Sequence, residues 1–303
     1  QRGISASGHP LNTPTHRWIE AKKHEPHSLS PGVVMVMDPT SWGPRHPADV
    51  LTGCRVVEAV SGRSRVVMPI PDLFRMRELA WSWLGVLADV SAAQAVGSML
   101  PADTAIRTVG LRLDTIGDLP AVGVDVTAVG TSMAVDEHYG LGRATLIGPG
   151  GTAIAVCTAR FAVVGVSVDE ARSTIDGLTP PGRPIDIDDL FGSRVESISD
   201  GRAVMVAHPS KPVSNHVGIV HGGLHAVMAD RVMREALPSS RMRMLDLTVG
   251  YQRPITVADD ESGAVMLRAD LERTGRRVTT VRARIESSSG RLLTNVFGTY
   301  SAT

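Results

Sequence analysis

The sequence predicts an α+β protein of two tandem units, each an antiparallel sheet wrapping one long central helix, over residues 49–166 and 190–303. Three observations predict it. Strand-like runs around a glycine turn precede a long apolar helical segment, and further strand-like runs follow it. The second half repeats this order with its anchors in register. Each half also places an acid, Asp89 or Asp230, within its apolar helix.

Residues 1–48 read as an irregular arm, rich in proline from Pro10 to Pro47, with one short helix over Thr15–His24 and with Trp18 and Trp42 packing on the domain surface. His16, His24 and His27 lie in this arm without a cysteine or paired acid at ligand spacing, so no metal site is predicted. Leu51–Val60 and Ser64–Pro69 read as strands around the turn Ser61-Gly62-Arg63. A helix is predicted from Leu73 to Met99, apolar nearly all round as a buried helix should be. Strands follow at Ile106–Asp114, Val122–Val129, around Tyr139–Ile147 and at Thr152–Val164, with Gly150-Gly151 marking a hairpin turn. Residues 167–189, with Pro180-Pro181-Gly182 and Pro184, read as a linker holding at most one short helix.

The second half then answers the first. Leu190-Phe191-Gly192-Ser193-Arg194-Val195 matches Leu51-Thr52-Gly53-Cys54-Arg55-Val56, and Asp200-Gly201-Arg202 matches Ser61-Gly62-Arg63. Gly290-Arg291-Leu292-Leu293 matches Gly151-Thr152-Ala153-Ile154, and Tyr300 matches Phe161.

Composition narrows the function classes. Lys+Arg and Asp+Glu both number 31, which gives no electrostatic case for nucleic acid or an anionic membrane surface. No apolar run approaches the ~20 residues that span a bilayer. Gln1–His9 lacks the apolar core of a signal peptide, and Gln at position 1 leaves a preceding leader open. Cys54 and Cys157 form no disulfide framework, as expected of the cytoplasm.

The chemistry concentrates in Asn215–Asp230. A polar turn carrying Asn215 and Gly218 leads to His221 and Gly222-Gly223, where a helix begins. Glycines at a helix start bare its N–H groups, and the helix dipole adds partial positive charge there. Such an end suits a carbonyl oxygen that becomes an oxyanion.

The pattern Asn215-x5-His221-Gly222-Gly223-x6-Asp230, with Leu247-Thr248-Val249-Gly250-Tyr251-Gln252-Arg253-Pro254 and Gly275-Arg276-Arg277 downstream, resembles hotdog-fold acyl-CoA thioesterases of the phenylacetyl-CoA thioesterase type. The resemblance implies an acyl-CoA substrate, release of free acid and CoA, and no cofactor. It implies a site between paired units, where the first Gly of the motif polarises the thioester carbonyl. The Asn holds substrate or water, and an acid activates water or attacks the carbon. A tandem chain would be a double hotdog, and whether two such chains form a homodimer stays open.

Spacing shows why two units are needed. Asp230 follows Gly222 by eight residues, ~12 Å along one helix, whereas reacting groups must meet within ~3–3.5 Å. An antiparallel partner helix brings its own acid to the Gly222 end. The first half has Phe74, Ala80 and Trp81 where the second has Asn215, His221 and Gly222, but it keeps Asp89. Where the family often places a hydroxyl to orient the acid, the first half offers Thr108 and the second Met244. One composite site follows: Asn215, His221 and Gly222 from one half, Asp89 and Thr108 from the other. Asp89 is general base or nucleophile, and His221 shapes the turn or transfers a proton. Asp230 faces the Trp81 end, as a structural acid or as the mark of a second, weak site, with the structural reading preferred.

Gly275, Arg276 and Arg277 are the CoA-binding candidates, since guanidinium groups suit phosphate; exposed strand charge is the alternative. The first half has Asp136-Glu137-His138 there, which repels phosphate. Phe74, Trp81, Trp83, Met99 and Met228 are candidates for lining an acyl pocket. A non-catalytic acyl-CoA-binding or regulatory protein is the alternative function, because one half has lost the motif.

Overall fold

The computed structural model describes residues 46–101, 104–165, 178, 184–239, 241–258 and 263–302. All belong to one compact body, Met37–Thr303. The predicted helix over Thr15–His24, the arm histidines, Trp18, Trp42 and most of the 167–189 linker lie outside the described residues.

The chain opens with α1 (Pro47–Thr52), then β1 (Arg55–Val60), β2 (Arg63–Pro69), α2 (Ala80–Gly97), β3 (Thr104–Thr115), β4 (Asp125–Val135), β5 (Tyr139–Ile147) and β6 (Ala153–Gly165). After α3 (Ile187–Phe191) come β7 (Arg194–Ser199), β8 (Arg202–Ala207), α4 (Gly222–Ala236), β9 (Arg243–Tyr251), β10 (Val265–Thr274), β11 (Val278–Ser287) and β12 (Leu292–Ser301). The strands form one 12-stranded antiparallel sheet, in the order β1-β2-β4-β5-β6-β3-β9-β12-β11-β10-β8-β7. Read from either edge, this order follows the same path through the elements of its half, and the two paths meet where β3 pairs with β9.

The irregularities repeat as well. A register shift skips Val109 between Thr108 and Gly110 on β3, and another skips Leu245 between Met244 and Asp246 on β9, where Met244 opposes Tyr300 of β12. Shifts on β1 (Val56/Glu58) and β7 (Val195/Ser197) correspond in the same way. Bulges bend a strand and re-aim its side chains, so Thr108 and Met244 occupy matching places.

Two sequence expectations shift. Leu51-Thr52 and Leu190-Phe191 close short helices instead of opening strands, because Gly53 (φ 68°) and Gly192 (φ 54°) supply the left-handed residue that ends a helix. The helix expected over Leu73–Met99 is also shorter: α2 covers Ala80–Gly97, and a 3₁₀ turn, Arg77–Leu79, precedes it.

The segment Arg77–Gly97 is long and apolar enough to cross a membrane by length and composition, yet 89% of it is buried within the protein. It is a core helix. Trp83, Leu84 and Leu87 are fully buried on it. Gly140 and Gly142 of β5 let it approach the sheet, since a methyl at Gly142 would sit 2.8 Å from the Ala92 carbonyl.

α2 and α4 pack antiparallel: the Glu78 carbonyl before α2 accepts from Arg234 near the end of α4, while Asp89 meets the start of α4. They cross at small residues. A side chain on Gly223 would overlap the Val86 backbone, and Gly85 faces Ala226. This crossing sets the distance between Asp89 and Gly222.

Candidate active site

Asp89 stands on α2, 4% exposed, and points at the first residue of α4. A methyl on Gly222 would lie 2.6 Å from Asp89 Oδ2 and 3.4 Å from Thr108 Oγ1. Only glycine lets the carboxylate approach the helix end this closely. From β3, Thr108 Oγ1 donates to Asp89 Oδ1 at 2.9 Å. The acid is thus held by a hydroxyl from its own half and faces a helix N-terminus from the other half.

Burial pushes the Asp89 pKa up, because the charged form loses its water. The positive charge His221 can carry, the Thr108 hydroxyl and the Gly223 N–H oppose that rise. A carboxylate with a raised pKa accepts a proton from water more readily than an ordinary aspartate.

The helix end is built by its own sequence. His221 Nδ1 accepts the Gly223 N–H at 3.1 Å and so caps α4. That nitrogen also lies 3.9 Å from Asp89 Oδ2, an ion pair only when the ring is protonated. Tyr251 of β9 donates to the Gly222 carbonyl at 2.8 Å. His225, its ring tilted 59° to that of Tyr251 with centroids 5.2 Å apart and its Nδ1 2.7 Å from Thr294 Oγ1, packs beside this tyrosine. Among the described residues no acceptor engages the Gly222 N–H. It can donate to an incoming oxygen.

Asn215 lies half-buried on the turn before α4, where its Oδ1 accepts from Val217 N at 3.0 Å and Ile219 N at 3.3 Å. Its carbonyl oxygen therefore folds the turn, leaving only the amide nitrogen for a ligand.

Asp230, the matching acid of α4, is enclosed differently. It accepts from Tyr300 at 2.8 Å and pairs with Arg234 at 3.1 Å, and it is fully buried. Trp81, with the Arg243 guanidinium 5.7 Å over its ring, stands where α4 has Gly222. Beside Asp89, the positions of Arg234 and Tyr300 belong to Ala93 and Phe161, neither of which fills the site with charge.

The smaller Ala93 leaves room. A cavity of about 80 Å³ opens beside Asp89 and His221. α2 lines it with Val90, Ala93 and Gln94; His46 and Asp49 approach from α1, and Cys54 and Val56 from β1 and the residue before it. Sequence reasoning missed this wall, because it assigned His46 to an irregular arm. Gln94 lies five residues, about 1.4 turns, beyond Asp89 on the same helix, so spacing alone did not place it beside the acid.

Two sets of candidates fall elsewhere. None of Phe74, Trp81, Trp83, Met99 and Met228 lines the cavity. Trp83 and Met228 are core, whereas Phe74 and Met99 are exposed, beyond the ends of the helix that was expected to bury them. Gly275, Arg276 and Arg277 form the β10–β11 turn, with both arginines exposed. Thr279, just after it, opposes Tyr300, so this turn belongs to the Asp230 end of the sheet. The Asp136-Glu137-His138 turn lies instead at the Thr108 end, since Gly140 opposes Phe161 and Phe161 opposes Thr108. Gly250, opposite Gly110 near Thr108, and Met244, opposite Tyr300, are six residues apart on β9, or ~20 Å.

The helix-wrapping antiparallel sheet is the hotdog fold of solved thioesterases. The tesB protein of Mycobacterium avium subsp. paratuberculosis is similar over 81% of this chain and 95% of its own, with a TM-score of 0.55 at 14% identity. Acyl-CoA thioesterase II TesB2 of Mycobacterium marinum is similar over 84% and 98%, with a TM-score of 0.55 at 10% identity. A family described as the acyl-CoA thioesterase N-terminal domain matches residues 211–301, which hold the Asn215–Asp230 stretch and β9 to β12. No curated protein sequence matches the chain.

Proposed function

We propose that this protein hydrolyses acyl-CoA thioesters at one composite site between two tandem hotdog units, residues 49–166 and 190–303. The observation that carries the proposal is the approach of Asp89, held by Thr108, to the Gly222 end of α4. The tandem division is supported by the strand order and by the bulges that recur in both halves.

The thioester carbonyl oxygen sits against the Gly222 N–H, where that donor and the α4 dipole stabilise the charge that develops on it. One such donor is worth about 3–4 kcal/mol of barrier. Asp89 Oδ2 takes a proton from a water that attacks the carbonyl carbon. The tetrahedral intermediate collapses, the carbon–sulfur bond breaks, and the proton on Asp89 passes to the departing thiolate. Free acid and CoA result. Thr108 keeps the carboxylate aimed, and His221 keeps the helix end in shape. Asp230, paired and enclosed, takes no part. We assign the reaction to the cytoplasm, in keeping with the two buried free thiols, Cys54 and Cys157.

The test is a panel of CoA thioesters with detection of released thiol. Turnover that is lost in Asp89→Asn supports the assignment. Absence of turnover across the panel, with acyl-CoA still bound, establishes a binding protein instead.

A further inference from the structure

The cavity beside Asp89 is too small for CoA, so at a site working as proposed above it takes the acyl end of the substrate while the thiol end leads outward. At about 80 Å³, it is roughly half the ~150 Å³ of a cavity that accepts benzene. That volume favours a short acyl group over an aromatic one.

Its wall is not simply apolar. Val56, Val90 and Ala93 give it a short aliphatic lining, and Gln94 adds an amide. Gln94 is half-buried, and among the described residues its side chain has no hydrogen-bond partner. It lies five residues beyond Asp89 on α2, ~7.5 Å along the axis and ~140° round it, and both line the cavity. With hydrogen-bonding distances of ~3 Å at each end, a group held by Gln94 sits a few bonds from the carbon that reacts beside Asp89. Asp49 also lines the cavity, and its negative charge there disfavours an acyl group ending in a second carboxylate.

We infer that this cavity selects a short acyl group, about four carbons long, bearing a neutral hydroxyl at its third carbon, and that Gln94 is the residue that recognises the hydroxyl. Gln94 offers both an N–H donor and a carbonyl acceptor, so it satisfies a hydroxyl in either role. A plain butyryl group leaves the amide facing methylene, and the desolvated amide then counts against binding.

The inference rests on the thioesterase reading, and one experiment separates their failures. Release of CoA is measured for acetyl-, butyryl-, 3-hydroxybutyryl-, hexanoyl- and phenylacetyl-CoA with the full chain. The expected result is a kcat/KM for 3-hydroxybutyryl-CoA at least about 10-fold above that for butyryl-CoA, with phenylacetyl-CoA lowest. In Gln94→Leu that ratio falls to near one, and Val56→Ala raises hexanoyl-CoA relative to butyryl-CoA. Hydrolysis that favours phenylacetyl- or hexanoyl-CoA in the wild type overturns the inference and leaves the thioesterase reading standing. So does a hydroxyl preference that survives in Gln94→Leu. If no thioester is hydrolysed, the thioesterase reading falls and the inference with it.

Discussion

The two helix acids invite a paired experiment, because sequence makes them equivalent and structure makes them opposite. Asp89→Asn removes the proton acceptor while keeping size and an acceptor for the Thr108 hydroxyl. Loss of a positioned base costs about 10²- to 10⁴-fold in rate, or about 3–5 kcal/mol of barrier. The same change should stabilise the fold near neutral pH. The folded-state pKa of Asp89 is raised by burial, so the folded protein binds that proton more readily than the unfolded chain. Stability is then lost as pH rises from the unfolded toward the folded pKa, and Asn removes the loss. Asp230→Asn should behave in reverse. It leaves the buried Arg234 guanidinium without its carboxylate, 3.1 Å away. Breaking one partner of a buried pair costs about 3–5 kcal/mol, a fall in Tm of roughly 6–20 °C for a domain of this size. Its kcat/KM should stay within about threefold of wild type, since Asp230 is fully buried against Tyr300 and Arg234 and does not line the cavity beside Asp89. Thiol-release kinetics and thermal unfolding by circular dichroism, on both variants, decide it. Equal loss of rate in the two, or a stable Asp230→Asn with no activity, refutes the single composite site.

Further outcomes follow from the same contacts. Gly222→Ala should fold but lose about 10²-fold in kcat, because its methyl would lie 2.6 Å from Asp89 Oδ2 and push the carboxylate off Thr108; a variant with wild-type kcat would show that the close approach is irrelevant. Thr108→Val removes a bond that lowers the Asp89 pKa, so the acid limb of the kcat/KM profile should move to higher pH, read by rate measurements across pH. Burial holds the His225 pKa down, at about 4. Stability from keeping it neutral is complete above pH 6.5 and declines as pH falls toward 4, with a total on the order of 3 kcal/mol. Denaturant titrations of wild type and His225→Leu across that window should therefore diverge most at its lower end.

Much of this site could be read from residues, and the reason is geometric. A helix has a fixed rise, so Gly222 and Asp230 could not meet, and Asp89 was the remaining acid in register. Turn glycines such as Gly53, Gly62, Gly192 and Gly201, all with positive φ, marked where the repeat should align. The sequence was less informative where a side chain depends on what crosses over it. Nothing local to His46 or Asp49 reveals that α1 folds back beside Asp89, and the proline-rich stretch before them disguises it. Large apolar residues were equally mute about pockets: Trp83 and Phe74 look alike in a sequence, yet one is fully buried and the other 44% exposed. The Gly275-Arg276-Arg277 turn was assigned to CoA from its chemistry, but strand register decides at which end of the sheet a turn falls.

The asymmetry of the two ends has a physical cause that a few positions carry. At one end, glycine at 222 and alanine at 93 leave a carboxylate beside the Gly222 N–H and open space. At the other, tryptophan at 81, arginine at 234 and tyrosine at 300 turn the same framework into a filled, fully paired cluster. A buried acid without partners is costly to fold, whereas an acid with a cation and a hydroxyl is not. Keeping one acid underpaired and satisfying the other places the energetic cost where chemistry can use it. The second acid then helps to hold α4 against the segment before α2, through Arg234 and the Glu78 carbonyl. That contact fixes the helix crossing on which the Asp89–Gly222 approach depends, so a loosened Asp230 cluster should lower kcat only as far as it disturbs that crossing.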